Sequence, residues 1–146
     1  MSAKDNVRMW EEHIRGEFII KDVHLALSTM TEDASVFTVP TRWGGKGKAA
    51  LLPLYRDESI PSIPEEWEST IVNRIVTDDC IVEEMHSRFR HTKRMDWFLP
   101  GEEPTGKIIE IDGITVIEFR GGLMSAERLY WDEASALRQI GKLQNR

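Results

Sequence analysis

The sequence predicts an α+β fold in which helices come first and an antiparallel sheet follows. In the first third of the chain, apolar residues recur at helical spacing, beginning with Val7, Trp10 and Ile14. From Thr70 onward the period changes, and short β-branched stretches with alternating side chains predict strands. This order, helices first and strands after them, is typical of an α+β fold. In an α/β fold with a parallel sheet, strands and helices would alternate along the chain.

The bulk properties of the chain predict one globular domain over residues 1–146. A length of 146 residues is typical of a single domain, and the sequence has neither an internal repeat nor a linker-like stretch. Hydrophobic residues make up 40% of the chain and charged residues 30%, which is typical of a protein with a packed core. The formal net charge of −6 would repel phosphates, so we expect no nucleic-acid partner.

The cellular compartment is predicted from cysteine usage and from the N-terminal segment. Cys80 is the single cysteine, so no disulfide can form within the chain, which favours a reducing compartment. The first residues are too charged for a signal peptide, and no apolar stretch is long enough to span a bilayer. We therefore expect a cytoplasmic protein without a membrane partner.

The N-terminal elements are predicted from their caps and stops. Asp5 is the expected N-cap of a first helix that runs toward Arg15 and ends at Gly16. Asp22 is the expected cap of a second helix. Residues 34–39 are β-branched and are followed by Pro40, so they predict a strand.

A glycine-rich stretch at residues 43–48 separates this strand from the next helix. It lacks the spacing of a phosphate-binding loop and has no Ser or Thr after its lysine, so it predicts a turn. The helix at residues 49–55 should be short or kinked, because Pro53 cannot continue a regular helix. Pro61 and Pro64 then predict a loop.

The second half of the chain is predicted to form a sheet and a closing helix. Gly121 and Gly122 are typical of a tight hairpin between the last two strands. Leu137 and Ile140 should face inward from the final helix. The predicted strands are residues 71–76, 81–92, 107–111, 115–120 and 123–131, and the predicted helix is residues 135–143.

The strand at residues 81–92 contains the first candidate site residues. Its odd positions are mostly apolar and should face inward, and its even positions are mostly charged and should face water. The inward face nevertheless contains Glu83 and His91, next to Phe89. Buried polar groups must be hydrogen-bonded or change their charge state, and they often mark functional sites. Two structural explanations stay open: Glu83 pairs with Arg74 across the hairpin, and His91 satisfies a turn.

Two aspartates near predicted strand ends are further candidates. Asp96 could orient His91, and Trp97 follows it; alternatively, Asp96 caps a turn or pairs with Arg94. Asp132 shares its parity with Tyr130, so both could point into one cavity, where an aromatic neighbour raises a carboxyl pKa. Alternatively, Asp132 is the N-cap of the last helix.

The first helix supplies the remaining candidates. His13 and Glu17 are four residues apart, so they are either a solvated helical pair or part of a pocket wall. Trp10 and His13 are the pocket residues expected from this helix. No metal-binding motif or carboxylate-rich loop is present, and we therefore expect no metal.

Two motifs in the C-terminal half carry a family resemblance. Residues 96–107 read DWFLPGEEPTGK and look like a connection with the pattern LPG-x-x-PTG. Residues 130–141 read YWDEASALRQIG and are similar to the closing pattern W-D-x-x-x-x-L-x-Q-x-G. Both patterns resemble the SnoaL-like polyketide cyclases of the nuclear transport factor 2-like superfamily. The N-terminal half matches that family in layout only.

The resemblance implies both a fold and an activity. The family packs helices on a strongly curved antiparallel sheet that forms a cone-shaped pocket, and its members often dimerise through the outer face of the sheet. Its cyclases close rings by an intramolecular aldol step without metal or nucleotide. Their acid/base aspartate lies in the closing motif, at the position of Asp132 here.

These observations predict a small acid/base enzyme without a cofactor. It would act on a small apolar or carbonyl-containing molecule, with Asp132 as the base and His91 as a second proton carrier or an oxyanion donor. One alternative is a hydrolase of an epoxide or lactone, and another is a dimeric module that only binds a small molecule. We expect a homodimer, which the many tryptophans would favour. The expected substrate-binding residues are Tyr130, Trp97, Glu83, Phe89, Asp96, Trp10 and His13.

Overall fold

The computed structural model describes residues 2–144 and has the predicted α+β order. Two helices turn into π-helical segments, Arg15–Ile20 and Leu54–Ser59. The helices are α1 (Ala3–Ile14), α2 (Val23–Ser28), α3 (Lys48–Pro53), α4 (Ile60–Ser62) and α5 (Glu133–Gln139). The strands are β1 (Met30–Thr38), β2 (Trp43–Lys46), β3 (Glu68–Val76), β4 (Cys80–Arg90), β5 (Ile108–Arg120) and β6 (Leu123–Trp131).

Within the described residues, the strands form one curved, unclosed sheet with the helices packed against it. The strand order is β2-β1-β6-β5-β4-β3, so β2 and β3 are its edges. Neighbouring strands are antiparallel except β1 and β6, which run parallel. Helix α1, at the start of the chain, packs against β4 and β6, which come much later in the sequence.

The central strand β5 corrects the prediction of two separate strands there. It runs without interruption from Ile108 to Arg120. Gly113, which lies between the two predicted strands, pairs with Met85 on one side and with Trp131 on the other. Because a strand with neighbours on both sides is held by two ladders of hydrogen bonds, one glycine does not end it.

The first helix starts earlier and ends later than predicted. Ser2 is its N-cap, and Asp5 lies inside the helix, where its carboxylate accepts hydrogen bonds from Ser2 in a capping box. Gly16 does not end the helix: it continues as a π-helical segment that Lys21 ends in the left-handed conformation, with φ 57°. Asp22 caps α2 as predicted, accepting from two backbone N–H groups.

The glycine-rich stretch is a strand and not a turn. Residues Trp43–Lys46 pair with β1 as an edge strand. Gly44 has φ +141°, and a Cβ atom there would lie 1.9 Å from the carbonyl oxygen of Val36. Glycine is therefore required here because the backbones of β1 and β2 approach too closely for a side chain.

The apolar core is divided between two clusters on either side of a cavity. One cluster joins α1 and α3 to the sheet and includes Leu51 and Ile117. The other joins the loop that follows β4 to β5 and α5, and it includes Met95, Leu99 and Ile109. Among residues 2–144, no helix is both long and apolar enough to cross a membrane.

Candidate active site

A cavity of about 530 Å³ lies between the helices and the concave face of the sheet. Its wall is mainly apolar and aromatic, which is typical of sites for small organic molecules. Phe18 and Phe98 contribute to it, and so does every tryptophan of the chain. These tryptophans are Trp10, Trp43, Trp67, Trp97 and Trp131.

Strand β4 forms part of the cavity floor with the predicted alternation. Its odd positions are inward, and among them Glu83 and Ser87 are buried and line the cavity together with Met85. Its even positions lie on the outer face, where Glu84, Arg88 and Arg90 are exposed and His86 is half-buried. The parity prediction for β4 is therefore confirmed.

Strand β6 presents its odd positions to the same cavity. Glu127, Leu129 and Trp131 line the cavity, whereas the intervening Arg128 and Tyr130 do not. Arg128 forms an ion pair with Glu118 at 2.7 Å. The polar group that β6 contributes to the cavity is therefore the carboxyl of Glu127.

A buried pair from the first helical segment reaches the carboxyl of Glu127. His13 is fully buried, Glu17 is 8% exposed, and Nε2 of His13 lies 2.6 Å from Oε1 of Glu17. Nδ1 of His13 lies 3.0 Å from the carbonyl oxygen of Ala26 and 2.8 Å from Oγ1 of Thr29. The Thr29 hydroxyl itself donates to that carbonyl at 2.6 Å. Nδ1 therefore carries a hydrogen, since its partners leave no donor for it to accept from.

The charge of this pair follows from its surroundings. Burial lowers the pKa of His13, but the charges of Glu17 and Glu127 and the carbonyl of Ala26 raise it more, to about 9. His13 is thus a buried imidazolium held by Glu17. The pair is buried, with Glu17 in the cavity lining and His13 behind it.

Glu127 and Tyr55 complete a polar cluster with this pair. Burial raises the pKa of Glu127 from 4.5 to about 7, although the positive charge of His13 opposes the shift. Burial, together with the charges of Glu17 and Glu127, raises the pKa of Tyr55 well above its ordinary value. Near neutral pH the cluster therefore offers a carboxyl group that can take or release a proton beside a phenol that remains protonated.

The same cluster has the composition of a small metal site. One ligand atom each from His13, Glu17 and Glu127 lies within 4.8 Å of the others. A metal ion there would have to displace the proton of His13 and separate it from Glu17. The contacts present form a proton-transfer cluster, and we interpret it as such.

Glu83 forms a second polar group at the cavity wall. Its Oε2 accepts from the indole nitrogen of Trp10 at 3.3 Å and from Nε of Arg74 at 2.6 Å. Arg74 also pairs with Glu11 at 3.2 Å. Glu83 is thus paired with Arg74, as the structural explanation from the sequence had it, and it lines the cavity as a carboxylate whose Oε2 is already bonded.

His91 lies away from the cavity. Its Nδ1 accepts from the backbone N–H of Thr105 at 3.3 Å and lies 3.1 Å from the Thr105 hydroxyl, so it fastens the loop after β4. Burial lowers the pKa of His91, which favours the neutral imidazole. Phe89 does not line the cavity either, because its ring stacks on that of Trp67, with 4.4 Å between the ring centroids. The structure therefore does not bring His91 into contact with the other candidates.

The aspartates and Tyr130 also lie outside the cavity lining. Asp96 pairs with Arg94 and accepts from the N–H of Gly101. Asp132 is exposed and caps α5, accepting from the N–H of Ser135 at 3.0 Å. Tyr130 is 40% exposed on the other side of β6. The predicted opening of Asp132 into the cavity is wrong, because the odd side chains of β6 face inward and the even ones outward.

Sequence reasoning missed Glu127 and Tyr55. The sequence did indicate that Glu127 faces inward, since it alternates along the predicted strand with Leu129 and Trp131, two large apolar side chains that are expected to be buried. Tyr55 had no such signal, because Pro53 and the π-helical segment after it set the direction of its side chain. Of the predicted residues, Trp10, Glu83 and Trp97 line the cavity, and His13 lies directly behind it.

Solved structures match this architecture at low sequence identity. No family model and no curated protein matches the chain. A SnoaL-like polyketide cyclase, so named, from Jannaschia sp. CCS1 aligns with a TM-score of 0.73 at 14% identity, over 97% of this chain and 94% of that one. A nuclear transport factor 2-like protein from Burkholderia xenovorans LB400 aligns with a TM-score of 0.66 at 15% identity, over 94% and 96%.

These matches decide the fold. The chain has the nuclear transport factor 2-like fold. An epoxide hydrolase of the LEH-like type from M. tuberculosis shares it, with a TM-score of 0.66 at 12% identity over 95% of this chain and 91% of that one. The fold expected from the SnoaL-like resemblance is therefore confirmed. Because proteins with a nuclear transport factor 2-like fold carry different names and activities, the reaction has to be argued from the cavity.

Proposed function

We propose that this protein is a small acid/base enzyme that moves a proton next to the carbonyl group of an apolar molecule. Glu127 is the base in this proposal. The observation that carries it is the position of the Glu127 carboxyl at the wall of a tryptophan-lined cavity, where burial raises its pKa to about 7. Asp132, the base expected from the resemblance, is replaced in this role because it caps α5 outside the cavity.

The pKa of Glu127 suits proton transfer at neutral pH. A general base works best when its pKa lies near the working pH, because it is then both ionised and basic enough to take a proton. An ordinary glutamate is almost fully ionised at that pH but is a weak base. The desolvated carboxyl of Glu127 combines the two properties.

The neighbours of Glu127 support the same reaction. Tyr55 is buried and remains protonated, so its hydroxyl can donate to the Glu127 carboxylate. The His13 imidazolium is fixed by Glu17 and Ala26, and its charge favours the ionised form of Glu127. The cluster can therefore stabilise either charge state of Glu127.

The proposed reaction begins with proton abstraction. Glu127 takes a proton from the carbon next to the carbonyl, and the electron pair of that C–H bond moves into an enolate. Glu127 then returns the proton to another carbon that is conjugated with the enolate, which isomerises the molecule. Alternatively, the enolate carbon attacks a second carbonyl of the same molecule to close a ring, and the alkoxide that forms takes the proton back from Glu127. The apolar cavity accommodates a compact, largely aromatic substrate of this kind.

Deuterium exchange tests the proposal without knowledge of the natural substrate. β-Tetralone, a bicyclic ketone with acidic C–H bonds, is incubated with the protein in deuterium oxide, and its NMR signals are followed. Wild type should speed the loss of the C–H signals, and Glu127→Gln should slow the catalysed exchange about 100-fold or more. Glu118→Gln, an exposed glutamate of β5, is the matched control and should exchange like wild type.

The exchange experiment has a clear contrary result. If Glu127→Gln is folded and exchanges the ketone as fast as wild type, Glu127 is not the base. If wild type gives no acceleration over buffer with β-tetralone or with larger aromatic ketones, the cavity is a binding site without proton-transfer chemistry. That result would support the non-catalytic module that the sequence left open.

A hydrolase is the second candidate, and one observation favours it. The cluster combines a carboxyl that can activate water with a phenol that can donate to an epoxide oxygen, and an LEH-like epoxide hydrolase shares the fold. Styrene oxide is a suitable probe. Diol formation that Glu127→Gln abolishes, in a protein that does not exchange ketone protons, would support hydrolysis over isomerisation.

A further inference from the structure

We propose that the hydroxyl of Thr115 binds the carbonyl oxygen of the substrate. This inference rests on the proposed function, because it identifies the group that holds the carbonyl while Glu127 takes the proton. Thr115 lies near the centre of β5 and lines the cavity, and it is only 2% exposed. It was not a candidate from the sequence, where it is one of many threonines.

The register of the sheet places Thr115 at the middle of the cavity floor. It pairs with Glu83 on β4 and with Leu129 on β6. Leu129 in turn pairs with Thr38 on β1, and Glu83 pairs with Arg74 on β3. All these residues line the cavity, so they form one row across the concave face with Thr115 at its centre.

Most donors of the cavity wall already have partners within the protein. The indole nitrogen of Trp10 donates to Glu83, and that of Trp97 donates to Ser62. The hydroxyl of Thr38 bonds Thr41, and the guanidinium of Arg74 bonds Glu83 and Glu11. Ser69 and Ser87 share one hydrogen bond, in which one hydroxyl donates and the other accepts.

Thr115 differs from these donors. Among residues 2–144, its hydroxyl has no hydrogen-bond partner, although the residue is almost fully enclosed. Ser59 has a free hydroxyl as well, but it belongs to the π-helical segment of the opposite wall. The indole N–H groups of Trp43 and Trp131 are unpartnered, and surrounding atoms cover them. Thr115 is therefore a free donor at the centre of the cavity floor.

The position of Thr115 relative to Glu127 fits the proposed chemistry. Glu127 pairs with Ile117, the next residue of β5 on the same face, so Thr115 and Glu127 are diagonal neighbours across two strands. Diagonal neighbours are about 7–8 Å apart, within reach of a long side chain. If the carbonyl oxygen of the substrate is bonded to Thr115, the carbon next to the carbonyl can lie between Thr115 and Glu127, where Glu127 takes its proton. The hydroxyl also stabilises the negative charge that develops on that oxygen in the enolate.

A matched pair of ligands tests the inference without turnover. β-Tetralone is compared by calorimetry with its methylene analogue, in which a CH₂ group replaces the carbonyl oxygen and the shape is kept. Wild type should bind the ketone about tenfold more tightly, as expected for one good hydrogen bond in an enclosed site. Thr115→Val keeps the volume and removes the hydroxyl, and it should reduce that preference to about twofold or less.

The controls separate the donor from the packing. Thr115→Ser should keep the preference, and Ser59→Ala should leave it unchanged. An undiminished preference for the ketone in Thr115→Val, or no preference in wild type, overturns the inference. Glu127→Gln should still prefer the ketone while it loses proton exchange, so failure of the Thr115 inference and failure of the proposed base are distinguished.

Discussion

Nε2 of His13 lies 2.6 Å from Oε1 of Glu17, with both side chains enclosed between α1, α2 and the sheet. The sequence spacing alone fitted either an exposed helical pair or a pocket wall. The structure makes this contact a buried ion pair next to Glu127. Because a buried charge is tolerated only with its partner, the pair should control both stability and its pH dependence.

Glu17→Gln should remove a pH-dependent part of the stability. The pKa of His13 is raised from 6.5 to about 9 in the folded protein, so folding takes up a proton. This stabilisation is complete below about pH 6.5 and is lost as the pH rises through about 9. Urea unfolding should therefore show Glu17→Gln to be about 2–3 kcal/mol less stable than wild type at pH 6, with a smaller difference at pH 9.5.

The matched control for this prediction is Glu12→Gln. Glu12 lies on the same helix and pairs with Arg15 at the surface, where an ion pair contributes about 1 kcal/mol or less. This variant should be close to wild type at both pH values. An equal loss in Glu17→Gln at pH 6 and pH 9.5 would show that His13 is not charged in the folded protein.

Tyr55→Phe should move the pH profile of ketone exchange to higher pH. Exchange in wild type should rise with pH around a midpoint near 7, because only ionised Glu127 accepts a proton. Tyr55 lowers the pKa of Glu127, because its hydroxyl can donate to the ionised carboxylate, so the loss of this hydroxyl should raise the midpoint. NMR exchange rates over the pH range give the midpoint. Tyr130→Phe, on the outer face, should keep it, and an unchanged or lower midpoint in Tyr55→Phe would contradict the contact.

Asp132→Asn should leave ketone exchange and stability close to wild type. Asp132 is exposed and caps α5, and asparagine is an equally good cap. Asp132→Ala should lower the free energy of unfolding by about 1 kcal/mol with little effect on exchange. A stable Asp132→Asn variant that lost exchange by tenfold or more would return the acid/base role to the position that the family resemblance assigned.

The homodimer stays a prediction, and its expected contact is now more specific. The tryptophans line the cavity, so they do not favour a dimer interface. The outer face of the sheet presents instead Ile75, Ile114 and Tyr130, each at least 40% exposed. Light scattering should give the mass of a dimer for wild type and of a monomer for Ile114→Glu. Ile19→Glu, an exposed residue beside the cavity, should remain dimeric, and a monomeric wild type would contradict the prediction.

The sequence by itself determined the fold class and the inward face of β4. Period changes between helix and strand reflect which side chains can reach water, and this local property survives folding. Cap residues such as Asp22 also act within a few residues of the chain, and so their effect was predictable. The same holds for the inward position of Glu83, which follows from alternation along one strand.

Only the tertiary structure decided which polar groups share one site. Glu127, Tyr55, His13 and Thr115 come from four separate segments, and no spacing along the chain records that they meet. Two π-helical segments turn Glu17 and Tyr55 toward the cavity, and the curvature of the sheet brings β6 opposite α1. The environment of Glu127 is likewise a property of the assembled cavity, because its pKa depends on the water excluded by residues far away in sequence.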